Sequence, residues 1–292
     1  MALVSHPSWL IVIPTHDHPS TIAHAAGSVL DQGVTDLQLV IIGDGVGDDT
    51  REVVAELCRV DRRVSFVDCP KAPSRNEAAR HVVVSATEAP FITYLGDDDL
   101  FLPHHLASMQ VLLADHDFVH PFPVFVQPSG ALEAVPTDLA DPRCVRWHLH
   151  PGHNAVSLSG AAHTGDLYRR LPFGWRPAPE GRWSDHYMWE QIFSVDGVRL
   201  ATSRRATTVK LPAVPRTGFD PLDREEEIRS WSVRSRTPEF AGWWDAEVAD
   251  AIRRAAVDQV MGASEVFEEL AAIRQRQEAD RRRSDLSVRG AI

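Results

Sequence analysis

The stretch "WLIVIPTHDHPSTIAHAAGSVLDQGVTDLQLVIIGDGVGDD" runs from residue 9 to residue 49 and changes pattern twice. Trp9 to Ile13 is a β-rich apolar run that ends at Pro14. From Pro19 to Leu30 the apolar positions Ile22, Ala25, Ala26, Val29 and Leu30 fall at helical spacing. Leu37 to Ile42 is a second β-rich run, stopped by the glycine-marked acids that follow it. A strand, a helix and a strand in that order predict a crossover unit, in which the two strands lie parallel.

The alternation continues outward. Thr50 to Val60 reads as a helix with Val53, Val54, Leu57 and Val60 on one face, and Val64 to Cys69 as a third strand. Ser74 to Ala86 reads as a helix opened by a capping box from Ser74 to Glu77. Phe91 to Leu95 is a fourth strand, Pro103 suits the first turn of a helix reaching Leu113, and Phe118 to Val126 is a strand at an edge or bent by Pro121 and Pro123. This order predicts an α/β fold with a mostly parallel sheet and helices on both faces.

Ser129 to Gly181 is irregular, with short strands expected around Asn154 to Leu158 and Ala161 to Tyr168. Trp183 to Phe193 reads as a helix and Arg204 to Leu211 as a strand. Trp243 to Leu270 fits one or two amphipathic helices, and Gln275 to Gly290 reads as a frayed tail. The expected organisation is a domain over 1–215, in two halves at about 9–127 and about 128–215, then a helical extension over 216–292.

The 292 residues carry a formal charge of −11, which argues against general nucleic-acid binding. Three scattered cysteines, Cys58, Cys69 and Cys144, fit a reducing compartment better than a disulfide framework. The first residues lack the basic start of a signal peptide, and no apolar run reaches the ~20 residues of a membrane span. The expected location is the cytoplasm. The amphipathic C-terminal helices would pack in the ordinary way, pair two copies of the chain or lie on a membrane, and ordinary packing is the expectation.

Three polar segments follow strands: residues 14–18, 43–49 and 96–99. In parallel sheets of this kind ligands sit outside the carboxyl ends of the strands. Asp97, Asp98 and Asp99 close the fourth strand, and like charges so near one another repel. Asp97 and Asp99 are hard oxygen donors at alternate positions, suited to Mg²⁺ or Mn²⁺ with phosphate oxygens completing the shell. Such an ion would neutralise charge building on a phosphate leaving group. The bland alternative is a solvated acidic turn at the start of the next helix.

Taken together, "VIPTHDHPSTIAHAAGSVLDQ", "LVIIGDGVGDDT", "SRNEAA" and "FITYLGDDDLFLPHHL" resemble the GT-A fold, inverting, metal-dependent glycosyltransferases of family 2. The resemblance is close over residues 9 to 110, looser over 155 to 212 and absent from the C-terminal segment. It implies a Rossmann-like sheet, a nucleoside-diphosphate sugar donor of the UDP, GDP or dTDP type, and a saccharide, lipid-linked or small-molecule acceptor. It implies that Pro14, Thr15 and His16 lie against the nucleotide, with His16 in the usual aromatic position. It gives Asp44 the base edge, Arg75 the diphosphate and Asp97 the ribose hydroxyls. Asp99 is then the ligand of Mn²⁺ or Mg²⁺, with Asp98 between them.

The family's base is an aspartate at a late helix start, which here is Asp185, with Ser184 in place of the usual glutamate. Asp166 and Glu180 are fallback bases. Trp183 and Trp189 would face a sugar or fill the core. His163 is left out of the metal set, and no histidine spacing suggests zinc. The rival readings are a non-catalytic binding protein on the same fold and a sugar nucleotidyltransferase. The latter would need a glycine-rich loop after the first strand, where this chain has "PTHDH".

Overall fold

The computed structural model describes residues 7–150 and 152–289. β1 (Trp9–Thr15), α1 (Pro19–Leu30), β2 (Leu37–Asp44), α2 (Asp48–Val60), β3 (Val64–Cys69), α3 (Glu77–Ala86) and β4 (Phe91–Tyr94) follow the expected alternation. Next come β5 (Leu100–Phe101), α4 (His105–Leu113), β6 (Phe118–His120), β7 (Val124–Val126), β8 (Leu132–Ala134), α5 (Pro142–Leu149), β9 (Ala162–Thr164) and α6 (Gly165–Arg170). The chain ends with α7 (Ser184–Phe193), β10 (Leu200–Thr202), β11 (Thr208–Val209), a 3₁₀ turn at Val214–Arg216, α8 (Pro221–Arg234) and α9 (Phe240–Arg289).

Seven strands form one sheet in the order β10-β6-β9-β4-β1-β2-β3. β1 runs parallel to β2 and β4, β2 to β3, and β10 to β6, while β9 alone is antiparallel to its neighbours β4 and β6. Alternate residues of β1 serve opposite faces. Trp9, Ile11 and Ile13 pack with Ile22, Ala25 and Val29 of α1 and with Val54 of α2. Leu10 and Val12 pack with Val84 of α3, with Trp175 of the loop before α7 and with Trp189 of α7. Burial on both faces explains why β1 reads as a continuous apolar run, each such side chain contributing about 1.5–3 kcal/mol.

Several local expectations change. Pro121 and Pro123 divide the expected fifth strand into β6 and β7, and β6 lies inside the sheet between β10 and β9. The prolines follow β6, so its own ladder keeps its donors. The capping box at Ser74 does not form, because Asn76 is left-handed at φ 53° and the helix starts after it. Ser74 Oγ instead donates to Glu77 Oε2 at 2.7 Å. Asn154–Leu158 contains no strand, whereas α5 forms in the stretch expected to be irregular. The strand expected at Arg204 to Leu211 shrinks to β11. α9 runs on to Arg289 through the stretch read as a frayed tail, and Gly290 lies outside the described residues.

The extension does not stand apart. Ile228 and Trp231 of α8 and Phe240, Trp244 and Val248 of α9 share a core with Leu100, Leu102, Val124, Val126 and Leu132. Trp244 Nε1 also donates to the Ala206 carbonyl at 2.9 Å. No helix among the described residues is long and apolar enough to cross a membrane.

Candidate active site

The acidic tip owes its shape to Gly96. A Cβ there would stand 2.8 Å from Asp99 Oδ2, 3.2 Å from Asp98 Oδ1 and 3.3 Å from Ser159 Oγ. The turn therefore folds tightly over its own acids, with the Gly96 N–H donating to Ser159 Oγ at 3.0 Å. β5 then pairs antiparallel with β11, Leu100 opposite Val209, which carries Lys210 and Leu211 to Asp99.

Each acid of the tip has a different partner. Asp97 Oδ2 accepts from Thr15 Oγ1 at 2.6 Å and lies 2.8 Å from His18 Nδ1, a contact that raises the His18 pKa against the opposing effect of burial. Asp98 Oδ2 accepts from Arg224 Nη2 of α8 at 2.6 Å. Burial first, and then the charge of Asp99, push the Asp98 carboxyl up to about 6 despite Lys210 and Arg224. Asp99 is wholly buried. Its Oδ1 accepts from the Leu211 N–H at 2.8 Å, and its Oδ2 accepts from Lys210 Nζ at 2.7 Å and from the Ser159 hydroxyl. Burial alone would lower the Lys210 pKa; Asp99 and Asp98 outweigh it and raise it to about 12.

This arrangement bears on the divalent ion that the resemblance assigns to Asp99. Both Asp99 oxygens face donors, and one donor is an ammonium that stays protonated at neutral pH. An ammonium repels a cation, so Asp99 as folded does not fit the role of a metal ligand. Among the described residues no group of three or more His, Cys, Asp or Glu side chains is arranged to hold a metal ion.

The residues expected to meet the nucleotide lie on two neighbouring strand ends. Pro14 and Thr15 end β1, and the exposed His16 places Nδ1 2.7 Å from the Asp44 carbonyl at the end of β2. Asp44 is not free as expected for a base-edge contact. Its Oδ1 accepts from the Ala72 N–H at 2.7 Å and its Oδ2 pairs with Lys71 Nζ. Lys71 was missed in the sequence. Gly45, left-handed at φ +67°, makes room for it, since a Cβ there would lie 2.5 Å from the Lys71 Cβ.

Arg75 is exposed, and among the described residues its guanidinium has no hydrogen-bond partner. The loop that presents it is anchored from below, because the buried Glu77 accepts from the Arg75 N–H at 3.1 Å. Arg80, also buried, donates to the Arg75 carbonyl at 2.7 Å and reaches Ser184 Oγ at 3.5 Å, with its guanidinium 4.4 Å over the Trp175 ring. Sequence reading missed Arg80 as well, since an arginine in a helix gives no sign of burial.

Ser184 opens α7, and the half-buried Asp185 follows it in the first turn. Because Arg80 reaches Ser184 Oγ, the start of α7 that carries the expected base Asp185 lies beside the loop that presents Arg75. Trp189 is core, whereas Trp183 is 49% exposed beside Asp185. Asp166 pairs with Arg169 at 2.6 Å and Glu180 is exposed. His163 is buried on β9 between the Tyr94 hydroxyl at 2.9 Å and the Thr164 carbonyl at 3.0 Å, and burial lowers its pKa to about 4. It is a core histidine. An open cavity of about 480 Å³, lined by Arg170, Pro172, Tyr187, Glu190 and Asp196 among others, includes none of the expected site residues.

Residues 10–152 match the model of glycosyl transferase family 2. A Campylobacter jejuni GalNAc(5)-diNAcBac-PP-undecaprenol beta-1,3-glucosyltransferase is 25% identical over 119 residues, 40% of this chain and 37% of that protein. An uncharacterised glycosyltransferase of Rickettsia conorii is 27% identical over 109 residues, 37% of this chain and 18% of its own length. The chain thus spans well under half the length of these curated relatives. Among solved structures, S. aureus TarS 1–349 superposes with a TM-score of 0.54 at 14% identity, covering 85% of this chain and 71% of that one. The mannosyltransferase PcManGT from Pyrobaculum calidifontis, in complex with GDP-Man and Mn²⁺, gives a TM-score of 0.51 at 16% identity over 89% of this chain and 80% of that one. At these identities the likeness establishes the GT-A fold.

Proposed function

We propose that this chain, whose residues 10–152 match the model of glycosyl transferase family 2, moves a sugar from a nucleoside-diphosphate donor to an acceptor hydroxyl with inversion. The observation that carries the reading is convergence. Thr15 at the end of β1 binds Asp97 of the tip, and Arg80 ties the loop of the exposed Arg75 to Ser184, the neighbour of Asp185, so segments far apart in sequence are linked.

In this reading Pro14, Thr15 and His16 border the nucleotide, with Asp44 fixing the neighbouring loop. Asp97, held by Thr15 and His18, turns its second oxygen to the ribose hydroxyls. Arg75 grips the diphosphate, a charge-assisted contact that suits a planar guanidinium. Asp185 takes the proton of the acceptor hydroxyl across about 2.6–3.2 Å. The acceptor oxygen attacks the anomeric carbon from the face opposite the nucleotide, and the breaking C–O bond leaves its electron pair on the diphosphate. Trp183, exposed beside the base, offers a face for the acceptor sugar.

UDP, GDP and dTDP sugars are the donor candidates, and one structural neighbour was crystallised with UDP-GlcNAc and another with GDP-Man. A saccharide, free or lipid-linked, is the acceptor class. The test is a melting panel with each nucleoside diphosphate, followed by donor-sugar release with wild type and Asp185→Asn. A ligand at about 100 times its dissociation constant adds about 2.7 kcal/mol of stability. Asp185→Asn should keep that shift and lose about 10²–10⁴ in turnover. If no diphosphate shifts the transition and no donor sugar is released, the reading fails and a non-catalytic binding role replaces it.

A further inference from the structure

Three carboxylates sit within one turn of the chain, and the fold answers them with side chains from elsewhere. Asp97 meets His18, Asp98 meets Arg224 and Asp99 meets Lys210. The last two pairs are shielded, with side-chain exposures of 17% and 15% for Asp98 and Arg224 and of 0% and 22% for Asp99 and Lys210.

Both cations are fixed before any ligand arrives. The Lys210 carbonyl accepts from the Val126 N–H at 2.9 Å, and the next residue, Leu211, binds Asp99. Arg224 rides on α8, whose end is tied to α1 by Arg236 through its ion pair with Asp31. A divalent ion at Asp99 would have to expel an ammonium and a backbone donor together. At Asp98 it would have to expel a guanidinium.

We infer that Lys210 and Arg224 provide, from within the chain, the positive charge that a divalent cation would otherwise bring to the donor's diphosphate, so that donor binding needs no metal. The inference rests on the glycosyltransferase reading above and makes it more specific. An ammonium carries three donors, and the structure engages one of them on Asp99, leaving the others for phosphate oxygens. Arg75 adds an exposed guanidinium beyond the acids. Fixed cations of this kind act without reorganising as charge develops on the leaving diphosphate.

The experiment is titration calorimetry of the full chain with UDP, GDP and dTDP, each in EDTA and again with Mn²⁺. Removing either cation alone strands a shielded carboxylate, so the variants are the charge-balanced pairs Asp98→Asn with Arg224→Gln and Asp99→Asn with Lys210→Met. One diphosphate should bind in EDTA within about threefold of its affinity in Mn²⁺. Both variants should weaken that binding by about tenfold or more, while affinity for the parent nucleoside stays unchanged, as a charge-assisted phosphate contact requires and a general loss of structure does not. Binding that appears only with Mn²⁺ overturns the inference and leaves the glycosyltransferase reading standing. Binding in EDTA that ignores both variants also overturns it. Absence of binding under every condition overturns both.

Discussion

Lys210→Met tests how the acidic tip is held together. Methionine keeps the length of the side chain and removes its charge. Asp99 then remains fully buried with only Ser159 and the Leu211 N–H as partners. Removing one member of a buried pair costs about 3–5 kcal/mol, mostly for the orphaned charge. Lys210 is 22% exposed, so the low end, about 3 kcal/mol, applies. At about 2–4 °C per kcal/mol, the midpoint should fall by roughly 6–12 °C. Asp99→Asn alone strands the ammonium and should cost a similar amount. The double variant strands nothing and should return to within about 1–2 kcal/mol of wild type. The coupling energy from the cycle is then about 4–5 kcal/mol. Alkaline pH gives a second reading. The Lys210 pKa is raised from 10.5 to about 12, so the pair's contribution is fully present below about 10.5 and fades as pH climbs towards 12. Urea unfolding across the four proteins, repeated at pH 8 and pH 11.5, measures both. Additive single-variant losses, or a Lys210→Met loss below about 0.5 kcal/mol, would refute the reasoning.

Other expectations follow from the same geometry. Gly96→Ala puts a Cβ 2.8 Å from Asp99 Oδ2 and should cost about 1–3 kcal/mol as the turn opens, read by thermal unfolding. Gly45→Ala adds backbone strain at φ +67° to a 2.5 Å clash with Lys71 and should be the worse of the two in the same assay. Asp98 is harder to ionise in the fold than in the unfolded chain, its pKa rising from 3.8 to about 6, so its burial weakens the fold as pH rises between those values. Asp98→Asn removes that dependence, and its stability relative to wild type should improve between pH 4 and pH 7 by up to about 3 kcal/mol; parallel curves would contradict the assignment. Trp183→Ala should raise the acceptor KM about fivefold and leave the donor KM alone, as loss of an exposed ring face predicts.

The nucleotide-side half of the fold was legible because its elements obey local rules. β1 and β2 are buried on both faces, so their apolar runs stand out against the helical spacing of α1. The second half was harder to read for a physical reason. β9, β10 and β11 are two or three residues long and owe their existence to partners, not to pattern. β9 is completed by antiparallel pairing to β4 and β6, and β11 by the two residues of β5. A strand that short carries no period. α5 announced itself only through Asp141, whose side chain caps the Arg143 N–H, and through Pro142 behind it.

The site divides along the same line. Thr15 ends β1 and Asp185 lies in the first turn of α7, as local pattern predicts, whereas Arg75 sits in the loop before α3 and not in a helix start. The charges that answer them were invisible. Lys71 lies in a loop after β3, Lys210 follows a two-residue strand, and Arg224 sits on a helix that looks like a solvated extension. Each becomes a partner only when tertiary folding brings it beside an acid. The three carboxylates crowded into one turn therefore have an explanation that no window of sequence contains. Asp99 is a structural acid that secures Lys210, Asp98 is a strained acid shared with α8, and Asp97 is the one of the three turned towards the β1 loop. On this view the extension that begins near residue 216 completes the donor site instead of decorating it. Removing it would expose Leu100, Leu102, Val124 and Val126, which pack against Trp231 and Trp244, and leave Asp98 without Arg224.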